Sequence, residues 1–361
     1  MERRSFLKKA GVGLVAGVAA APAIAQNAAL PTIKWRMASS FPKTIDTLHG
    51  SAEFLIKRIA DMTGGKFQIQ LFAAGELVPG PGVHDAVKDN TVEIGYTCSY
   101  YYYGKNPVYC IDTSIPFGMN SRQIEAWYRQ GNGAKLMDEF FAKSNLISIP
   151  SGNSGTQMGG WFRKEIKNVS DLKGLKMRIP GLAGAVLSKL GVVPQQIAAG
   201  DIYPALEKGT IDATEWVGPH DDLKMGFNKV AKYYYYPGWW EGSPVISTYI
   251  NLQKWNELPK EYQTIIRSAC ADTNLEMAAR YDTKNPVALK QLIAAGTQLR
   301  PFPKDVMEAC YKAAQEYYAE ISEKNPDFKK IYDDYKKFTD EQNAWFRVAE
   351  GSFSNFMYSR K

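Results

Sequence analysis

Residues 33–38, Ile-Lys-Trp-Arg-Met-Ala, alternate apolar and polar side chains, which predicts a first β-strand. A helix is predicted over about 47–62, where the apolar residues share one face. A second strand over 67–72, a short helix over 83–88 and a third strand over 92–97 follow. Strands and helices that alternate at this spacing predict an α/β lobe built on a largely parallel sheet.

Ligand-binding segments of such a lobe are expected where its strands end, because ligands collect at the carboxyl edge of a parallel sheet. Two segments occupy that position. Ser39–Pro42 follows the first strand, and the four consecutive tyrosines Tyr100–Tyr103 follow the third.

A second α/β unit is predicted to begin around residue 150, and a strand over 145–150 leads into it. Its further elements are strands over 175–179 and 211–216 and helices over 183–190 and 202–208, the last with Asp201 as its N-cap. The alternating run over 245–251 predicts a strand in which the chain crosses back to the first lobe.

Two α/β lobes joined by more than one crossover form the hinged cleft of a periplasmic-binding-protein architecture. We assign the first lobe to 26–150, joined by about 246–285, and the second lobe to 151–245, joined by about 286–325. Long C-terminal helices are predicted for the remaining residues, 326–361.

An apolar stripe runs along this C-terminal segment, mostly at intervals of three or four residues or their sum. Its members are Ile331, Tyr335, Phe338, Phe346, Ala349 and Phe353. Such a stripe packs either into the core of its own chain or against a second copy of the chain. The segment is therefore a possible dimer element.

The composition describes a soluble globular chain, because 45% of the 361 residues are hydrophobic and 22% are charged. These values exclude a disordered chain, a collagen and a multi-span membrane protein. The formal net charge is +7, of which +3 lies in the first 25 residues. The charge that remains is too small to indicate a nucleic-acid partner.

Residues 1–25 have the organisation of an export signal, with a basic start, an apolar stretch over 10–21 and the cleavage-type end Ala23-Ile24-Ala25. The run Arg3-Arg4-Ser5-Phe6-Leu7-Lys8-Lys9 matches the twin-arginine pattern, and an ordinary Sec signal is the alternative. Either signal predicts a periplasmic protein. In that oxidising compartment a Cys270–Cys310 disulfide is one option, and four buried free thiols are the other.

Motifs of common enzyme classes are missing from the sequence, which contains no GxGxxG, GxxxxGK[ST], HExxH or GxSxG. Of the three histidines, only His220 stands close to a segment with candidate ligands. No nucleophile with a neighbouring base is visible. Because carboxylates also carry out acid–base chemistry, an enzyme stays a separate hypothesis.

Four groups of polar residues stand at the ends of elements in the second lobe: Asn153 with Gln157, then Arg178, then Glu215-Trp216, and finally Glu241. Their segments resemble those of the substrate-binding subunit of tripartite ATP-independent periplasmic (TRAP) transporters, in the branch that binds 2-oxo acids such as pyruvate. The matching segments are 152–162, 172–178, 212–216 and 233–241. The resemblance extends from the export signal to the last helices.

The resemblance implies that Arg178 holds the substrate carboxylate, which agrees with the planar fork of donors that a guanidinium offers. Asn153 is expected to donate to a substrate oxygen, with an Asx turn as the alternative. Tyr101, Trp216 and Trp239 are expected to wall the ligand. Which tyrosine of Tyr100–Tyr103 lines the site stays open.

The resemblance also implies a metal ion held by Gln157, Glu215, Glu241 and the backbone carbonyl of Trp216. A set of oxygen ligands suits a hard cation, Na⁺ or Ca²⁺. Two glutamates, one arginine and a monoanionic substrate carry a charge of −2 together, which Ca²⁺ would neutralise and Na⁺ would reduce to −1. Charge therefore favours calcium, whereas the resemblance favours sodium for oxo acids.

The expected function is the capture of a small 2-oxo monocarboxylate, pyruvate or similar, with a metal ion, and its delivery to a TRAP membrane permease without chemistry. One alternative is a protein of the same system that binds lactate or another 2-hydroxy acid. The other alternative is a periplasmic enzyme that uses the metal as a Lewis acid on a carboxylate.

Overall fold

The computed structural model describes residues 30–360 of the chain, so the predicted export signal lies outside the described residues. The elements of the first part of the chain, up to residue 153, are β1 (Ile33–Ser39), α1 (Leu48–Met62), β2 (Phe67–Phe72), α2 (Val83–Lys88), β3 (Ile94–Thr97), α3 (Val108–Thr113), α4 (Ser121–Gln130), α5 (Gly133–Ala142) and β4 (Leu146–Asn153).

The next elements are β5 (Gly160–Phe162), β6 (Lys176–Arg178), α6 (Gly181–Ser188), β7 (Val193–Gln195), α7 (Ala199–Glu207), β8 (Ala213–Thr214), α8 (Pro219–Met225), β9 (Tyr233–Tyr236) and β10 (Val245–Asn251). The C-terminal elements are α9 (Leu252–Glu257), α10 (Lys260–Ala294), β11 (Gln298–Pro301), α11 (Lys304–Lys324), α12 (Pro326–Phe346) and α13 (Ser352–Tyr358).

The strands form two sheets. The first has the order β2-β1-β3-β10-β4, with β1 parallel to β2 and β3 and with β10 antiparallel to both of its neighbours. The second has the order β11-β9-β5-β8-β6-β7, with β6 parallel to β7 and β8. The predicted mixed α/β architecture with two lobes and long C-terminal helices is confirmed.

Two strands return the chain to a sheet that it has left. Strand β10 enters the first sheet between β3 and β4, as the alternating pattern over 245–251 predicts. Strand β11 pairs in parallel with β9 at the edge of the second sheet. The 35-residue helix α10 lies between these two returns and packs against β4 and α1 as well as against α8.

The bounds of β2, α2 and β10 agree with those predicted from sequence. Strand β8, in contrast, has two residues instead of the predicted six. The facing strand β5 begins at Gly160, whose φ of +85° turns the backbone away beyond Thr214. Glu215 and Trp216 therefore leave the sheet.

Asp201 is not the N-cap of α7, and that prediction is wrong. The helix begins at Ala199, and the extended backbone of Ala198 occupies the N-cap position. Asp201 lies instead in the first turn, where a carboxylate still meets the positive end of the helix dipole.

All four cysteines are buried and free. The expectation of four buried free thiols is therefore the correct one, and Cys270 and Cys310 do not form a disulfide.

The C-terminal apolar stripe divides into a buried and an exposed part. Ile331 and Tyr335 are buried, whereas Phe353 in α13 is 66% exposed. Among residues 30–360, no helix combines the length and the apolar character that crossing a bilayer requires.

Candidate functional site

The ends of four strands meet around one cavity. Ser40 follows β1, Tyr101 lies in the turn after β3, Arg178 ends β6 and Trp216 follows β8. All four residues line a cavity of about 230 Å³, which we call the outer cavity. The carboxyl ends of strands from both sheets thus face a common space, as the rule for parallel sheets predicts.

A much smaller inner cavity of about 10 Å³ adjoins the outer one, and Tyr101 and Trp216 line both. Gln157, Ser154 and Cys98 line the inner cavity only. Because a single water needs about 10–15 Å³, the inner cavity has room for one atom-sized guest.

Arg178 is the charged centre of the site and is 2% exposed. Its Nη1 donates to the carboxylate of Glu215 in a close ion pair and to the Glu215 carbonyl at 3.1 Å. Its Nε donates to the carbonyl of Ile197 at 3.3 Å, and its guanidinium lies 5.2 Å from the ring of Trp216. Among residues 30–360, no acceptor binds Nη2, so part of the guanidinium fork is available to a ligand.

Two carboxyl groups share this single positive charge. Glu215 is fully buried and Glu241 is 4% exposed. Burial raises the pKa of Glu215 to about 7, although Arg178 opposes the shift. Burial and the neighbouring Glu215 together raise the pKa of Glu241 well above its usual range. Without a further cation, the pocket therefore favours a proton on one of the two carboxyls.

Three buried oxygens in this region accept no hydrogen bond from residues 30–360. They are Gln157 Oε1, Glu215 Oε2 and Glu241 Oε2. The Gln157 amide is oriented by its Nε2, which donates to Ser154 Oγ at 3.1 Å, and its backbone N–H donates to the Glu241 carbonyl at 3.1 Å. Buried acceptors without donors are unfavourable, so these oxygens fit the ligand set of a hard cation.

Of the predicted wall residues, Tyr101 and Trp216 line both cavities. Tyr100 lines the inner cavity only. Trp239 is buried outside the two cavities, where it stacks on Phe117 with ring centroids 5.0 Å apart.

The structure does not bring Asn153 to the cavities. Its Oδ1 accepts the backbone N–H of Gly155 at 2.8 Å, and its Nδ2 donates to Ser243 Oγ at 2.7 Å. Both polar groups therefore have partners within the chain, as in the Asx-turn alternative.

Sequence reasoning missed the segment 196–201, which lines the outer cavity. It follows β7, whose three residues include Pro194 and show no alternation of buried and exposed positions. Gln196 Nε2 also donates to the carbonyl of Tyr101 at 2.8 Å and so links the two lobes. The rule that ligands collect at strand ends would have indicated this segment if β7 had been recognised.

Two lobes that enclose a buried, charged cavity define a binding protein for a small polar solute. A family model described as bacterial extracellular solute-binding protein, family 7, matches residues 38–325. The chain belongs to this family.

Three relatives of this chain are described with small carboxylate ligands. A monocarboxylate 2-oxoacid-binding periplasmic protein of Nostoc sp. is 51% identical over 92% of this chain and 91% of its own length. A TRAP solute-binding protein of Bordetella bronchiseptica is 53% identical with a TM-score of 0.90, over 91% of this chain and 98% of its own. Its crystal structure is a mixed-occupancy dimer with copurified calcium and picolinate in one site and an apo second site.

The third relative is a TRAP periplasmic solute-binding protein of Pseudoalteromonas atlantica, with sodium and pyruvate bound. It is 37% identical with a TM-score of 0.88, over 91% of this chain and 100% of its own. Both of the ions predicted from sequence therefore occur in structures of relatives, together with small carboxylates.

Proposed function

We propose that this chain is a periplasmic binding subunit of a TRAP transporter that captures a small 2-oxo monocarboxylate, pyruvate or similar, together with a metal ion. The observation that carries the proposal is the group of three unpartnered oxygens of Gln157, Glu215 and Glu241 beside the partly free guanidinium of Arg178. The ligands of the relatives support it.

Arg178 is proposed to bind the substrate carboxylate from the floor of the outer cavity. Its Nη1 is held by Glu215, which fixes the plane of the guanidinium and directs the remaining N–H groups toward the cavity. A hydrogen bond between ionised partners contributes about 1.5–3 kcal/mol. The rings of Tyr101 and Trp216 exclude water from these bonds, which strengthens them.

The ion is proposed to lie beside the inner cavity, held by Gln157 and the Trp216 carbonyl from its lining and by Glu215 and Glu241 from outside that lining. When bound, a hard cation offsets the repulsion between the carboxylates and the anionic substrate and accepts a substrate oxygen as a ligand. Na⁺ is the proposed ion and Ca²⁺ the alternative, since the relatives contain either.

Contacts from both lobes are proposed to drive closure of the cleft around the ligand. Tyr101 and Ser40 belong to strand ends of the first sheet, and Arg178 and Trp216 to strand ends of the second. A ligand that binds both sets stabilises the closed form, since it interacts with both sets only there. The closed protein then delivers its cargo to a membrane permease and performs no chemistry on it.

The lobe boundaries are part of the proposal. The returns of β10 to the first sheet and of β11 to the second support a first lobe of 26–150 with about 246–285, and a second of 151–245 with about 286–325.

The C-terminal segment 326–361 is proposed to join two copies of the chain in a homodimer. Large apolar side chains are exposed along its second half. They are Trp345, Val348, Phe353, Phe356, Met357 and Tyr358. Covering them with the same surface of a second copy would remove them from water.

A thermal-shift panel tests the proposed ligand. Chelated, desalted protein is heated with pyruvate, longer 2-oxo acids, lactate or acetate, each with Na⁺, Ca²⁺ or K⁺. We expect stabilisation by a 2-oxo acid with Na⁺ or Ca²⁺ and little effect of acetate, which lacks the second chelating oxygen. Stronger stabilisation by lactate would support the 2-hydroxy acid alternative. Turnover of pyruvate, followed by NMR, would support the enzyme alternative and contradict the proposal.

A further inference from the structure

Asp222, in the first turn of α8, lies next to the backbone of the site, and its carboxylate accepts three hydrogen bonds. Oδ2 accepts Trp161 Nε1 at 3.0 Å and the Tyr234 hydroxyl at 2.7 Å. Oδ1 accepts the backbone N–H of Val217 at 3.3 Å. The residue is 1% exposed, and among residues 30–360 no lysine, arginine or histidine forms an ion pair with it.

The bond to Val217 fixes the direction of the Trp216 carbonyl, because both groups belong to the same peptide unit. Among residues 30–360 only the Tyr236–Pro237 bond is cis, so the Trp216–Val217 peptide is trans. In a trans peptide the N–H and the C=O point in opposite directions. The Trp216 carbonyl therefore points away from Asp222.

That carbonyl is also free to bind a guest. Within residues 30–360 the Trp216 oxygen accepts no hydrogen bond, whereas the next carbonyl, of Val217, accepts the N–H of Met158 at 3.1 Å. Trp216, Val217 and Gln157 all line the inner cavity, beside the unpartnered Gln157 Oε1.

We propose that Asp222 is a positioning residue that aims the Trp216 carbonyl at the ion beside the inner cavity and strengthens it as a ligand. The inference rests on the proposed function, which places the ion there. A carboxylate on the N–H side of a peptide polarises the unit and increases the negative charge on its carbonyl oxygen. Partners that orient metal ligands from behind act in this way.

The surroundings of Asp222 hold it in place. Trp161 in β5 and Tyr234 in β9 are fully buried, and their rings stack with centroids 4.1 Å apart. The adjacent Asp221 turns the other way and accepts the hydroxyls of Thr47 at 2.5 Å and Tyr281 at 2.7 Å. The start of α8 is therefore tied both to the second sheet and to the residues that precede α1.

The test compares wild type with Asp222→Asn in the full chain. The matched control is Asp112→Asn, which neutralises another fully buried aspartate whose carboxylate accepts hydroxyl donors, including Tyr128 at 2.6 Å. Pyruvate binding to chelator-treated protein is measured by calorimetry over a series of CaCl₂ or NaCl concentrations in potassium buffer. Two quantities result: the ion concentration required for half-maximal binding, and the pyruvate affinity at saturating ion.

For Asp222→Asn we expect the ion requirement to rise about 10-fold or more, while the pyruvate affinity at saturating ion returns close to that of wild type. Asp112→Asn should have the ion requirement of wild type. A merely structural role of Asp222 would instead lower the melting temperature and weaken both quantities together, and that result would overturn the proposal. An unchanged ion requirement would overturn it as well.

Tyr234→Phe provides a second measurement if Asp222→Asn does not fold, because it removes one bond to Asp222 and keeps the stacked ring. A rise of a few-fold in the ion requirement is expected, and no rise contradicts the positioning role. Failure of the proposed function would give a different result, seen in the wild-type protein: it would bind pyruvate equally well without any ion. That result would reject the ion site and, with it, the role of Asp222.

Discussion

Arg178 has two roles because a guanidinium carries several N–H donors in one plane. Its Nη1 pairs with Glu215, and Nη2 stays available to the outer cavity, which Arg178 lines. Its position could be predicted from sequence, since it ends a strand within a recognisable motif. The pairing with Glu215 could not, because the two residues lie 37 positions apart and meet only through the parallel pairing of β6 with β8.

Arg178→Lys tests the fork. Lysine keeps the charge but offers a single ammonium in place of a planar pair of donors. We expect pyruvate affinity, measured by calorimetry at saturating ion, to fall about 10- to 100-fold. Arg300→Lys is the control, since Arg300 pairs with Glu165 at 3.0 Å outside the site. An Arg178→Lys protein that binds within two-fold of wild type would remove Arg178 from the carboxylate.

Glu241→Gln tests the ion ligands, because it keeps the shape of the side chain and removes its charge. We expect the apparent ion affinity to fall by at least about 10-fold. A loss of this size is typical even when the mutated residue only supports a metal ligand through a hydrogen bond, and a ligand itself should matter at least as much. Ion titration followed by intrinsic fluorescence measures it. Glu165→Gln, which changes a half-buried glutamate elsewhere, should be neutral. If Glu241→Gln is equally neutral, Glu241 is not a ligand.

Asp222 makes the stability of the ion-free protein depend on pH. Burial raises its pKa to about 7, so below that pH the folded protein keeps a proton that the unfolded chain loses near pH 4, and above it Asp222 is the carboxylate that accepts the three hydrogen bonds. The free energy of unfolding should therefore fall as pH rises from about 4 to about 7, by up to about 1.4 kcal/mol per unit of pKa shift. Urea unfolding at pH 5, 6 and 7 measures this slope. Asp222→Asn should reduce it, and an undiminished slope would contradict the assignment.

At the scale of elements, the sequence predicted the bounds of those strands and helices that depend mainly on residues within the element itself. Strands β2 and β10 and helix α2 have their predicted bounds because alternation and turn residues within each segment suffice. The short strands of the second sheet were poorly predicted, since β5, β7 and β8 have three residues or fewer and depend on distant partners.

The same physical reason explains two of the predicted site residues that do not line the cavities. Asn153 is held by Ser243, 90 positions away, and Trp239 by Phe117. Neither contact leaves a signal in the sequence around the residue. Residues placed at strand ends by a local pattern, such as Ser40 and Tyr101, do line the outer cavity.

The exposed apolar half of the C-terminal segment predicts association. Phe353→Asp should weaken a dimer about 10-fold or more, because it removes the burial of one aromatic side chain, worth about 1.5–3 kcal/mol, and adds a charge. Light scattering coupled to size exclusion over a dilution series measures this. Leu275→Asp on α10 is the control, since Leu275 is 71% exposed elsewhere on the surface. A wild-type protein that is monomeric at high concentration would contradict the proposal.

At the scale of the whole molecule, polar contacts hold the two lobes together beside the cleft. The Asp46 carboxylate, just before α1, meets His220 at 2.9 Å and Lys224 at 2.5 Å on α8 as well as Lys284 on α10. Although burial raises it, the pKa of Asp46 lies well below its usual range, because hydrogen bonds from Lys224, Lys284 and His220 stabilise its charged form. This charged cluster therefore links the two lobes.

The proposed closure around the ligand would also determine the electrostatics of the site. When both glutamates are ionised, they and the single arginine, enclosed at almost zero exposure, carry an excess of negative charge, and a small anion adds to it. A cation that enters with the anion makes the closed state favourable, so binding of the acid and binding of the ion should depend on each other.

The dependence of pyruvate binding on the ion tests the proposed function most directly. Protein exhaustively chelated and dialysed into potassium buffer is titrated with pyruvate by calorimetry, and the titration is repeated after addition of NaCl or CaCl₂. We predict no measurable binding in potassium alone and its restoration by one of the two ions. An unchanged pyruvate affinity in the ion-free protein would contradict the account.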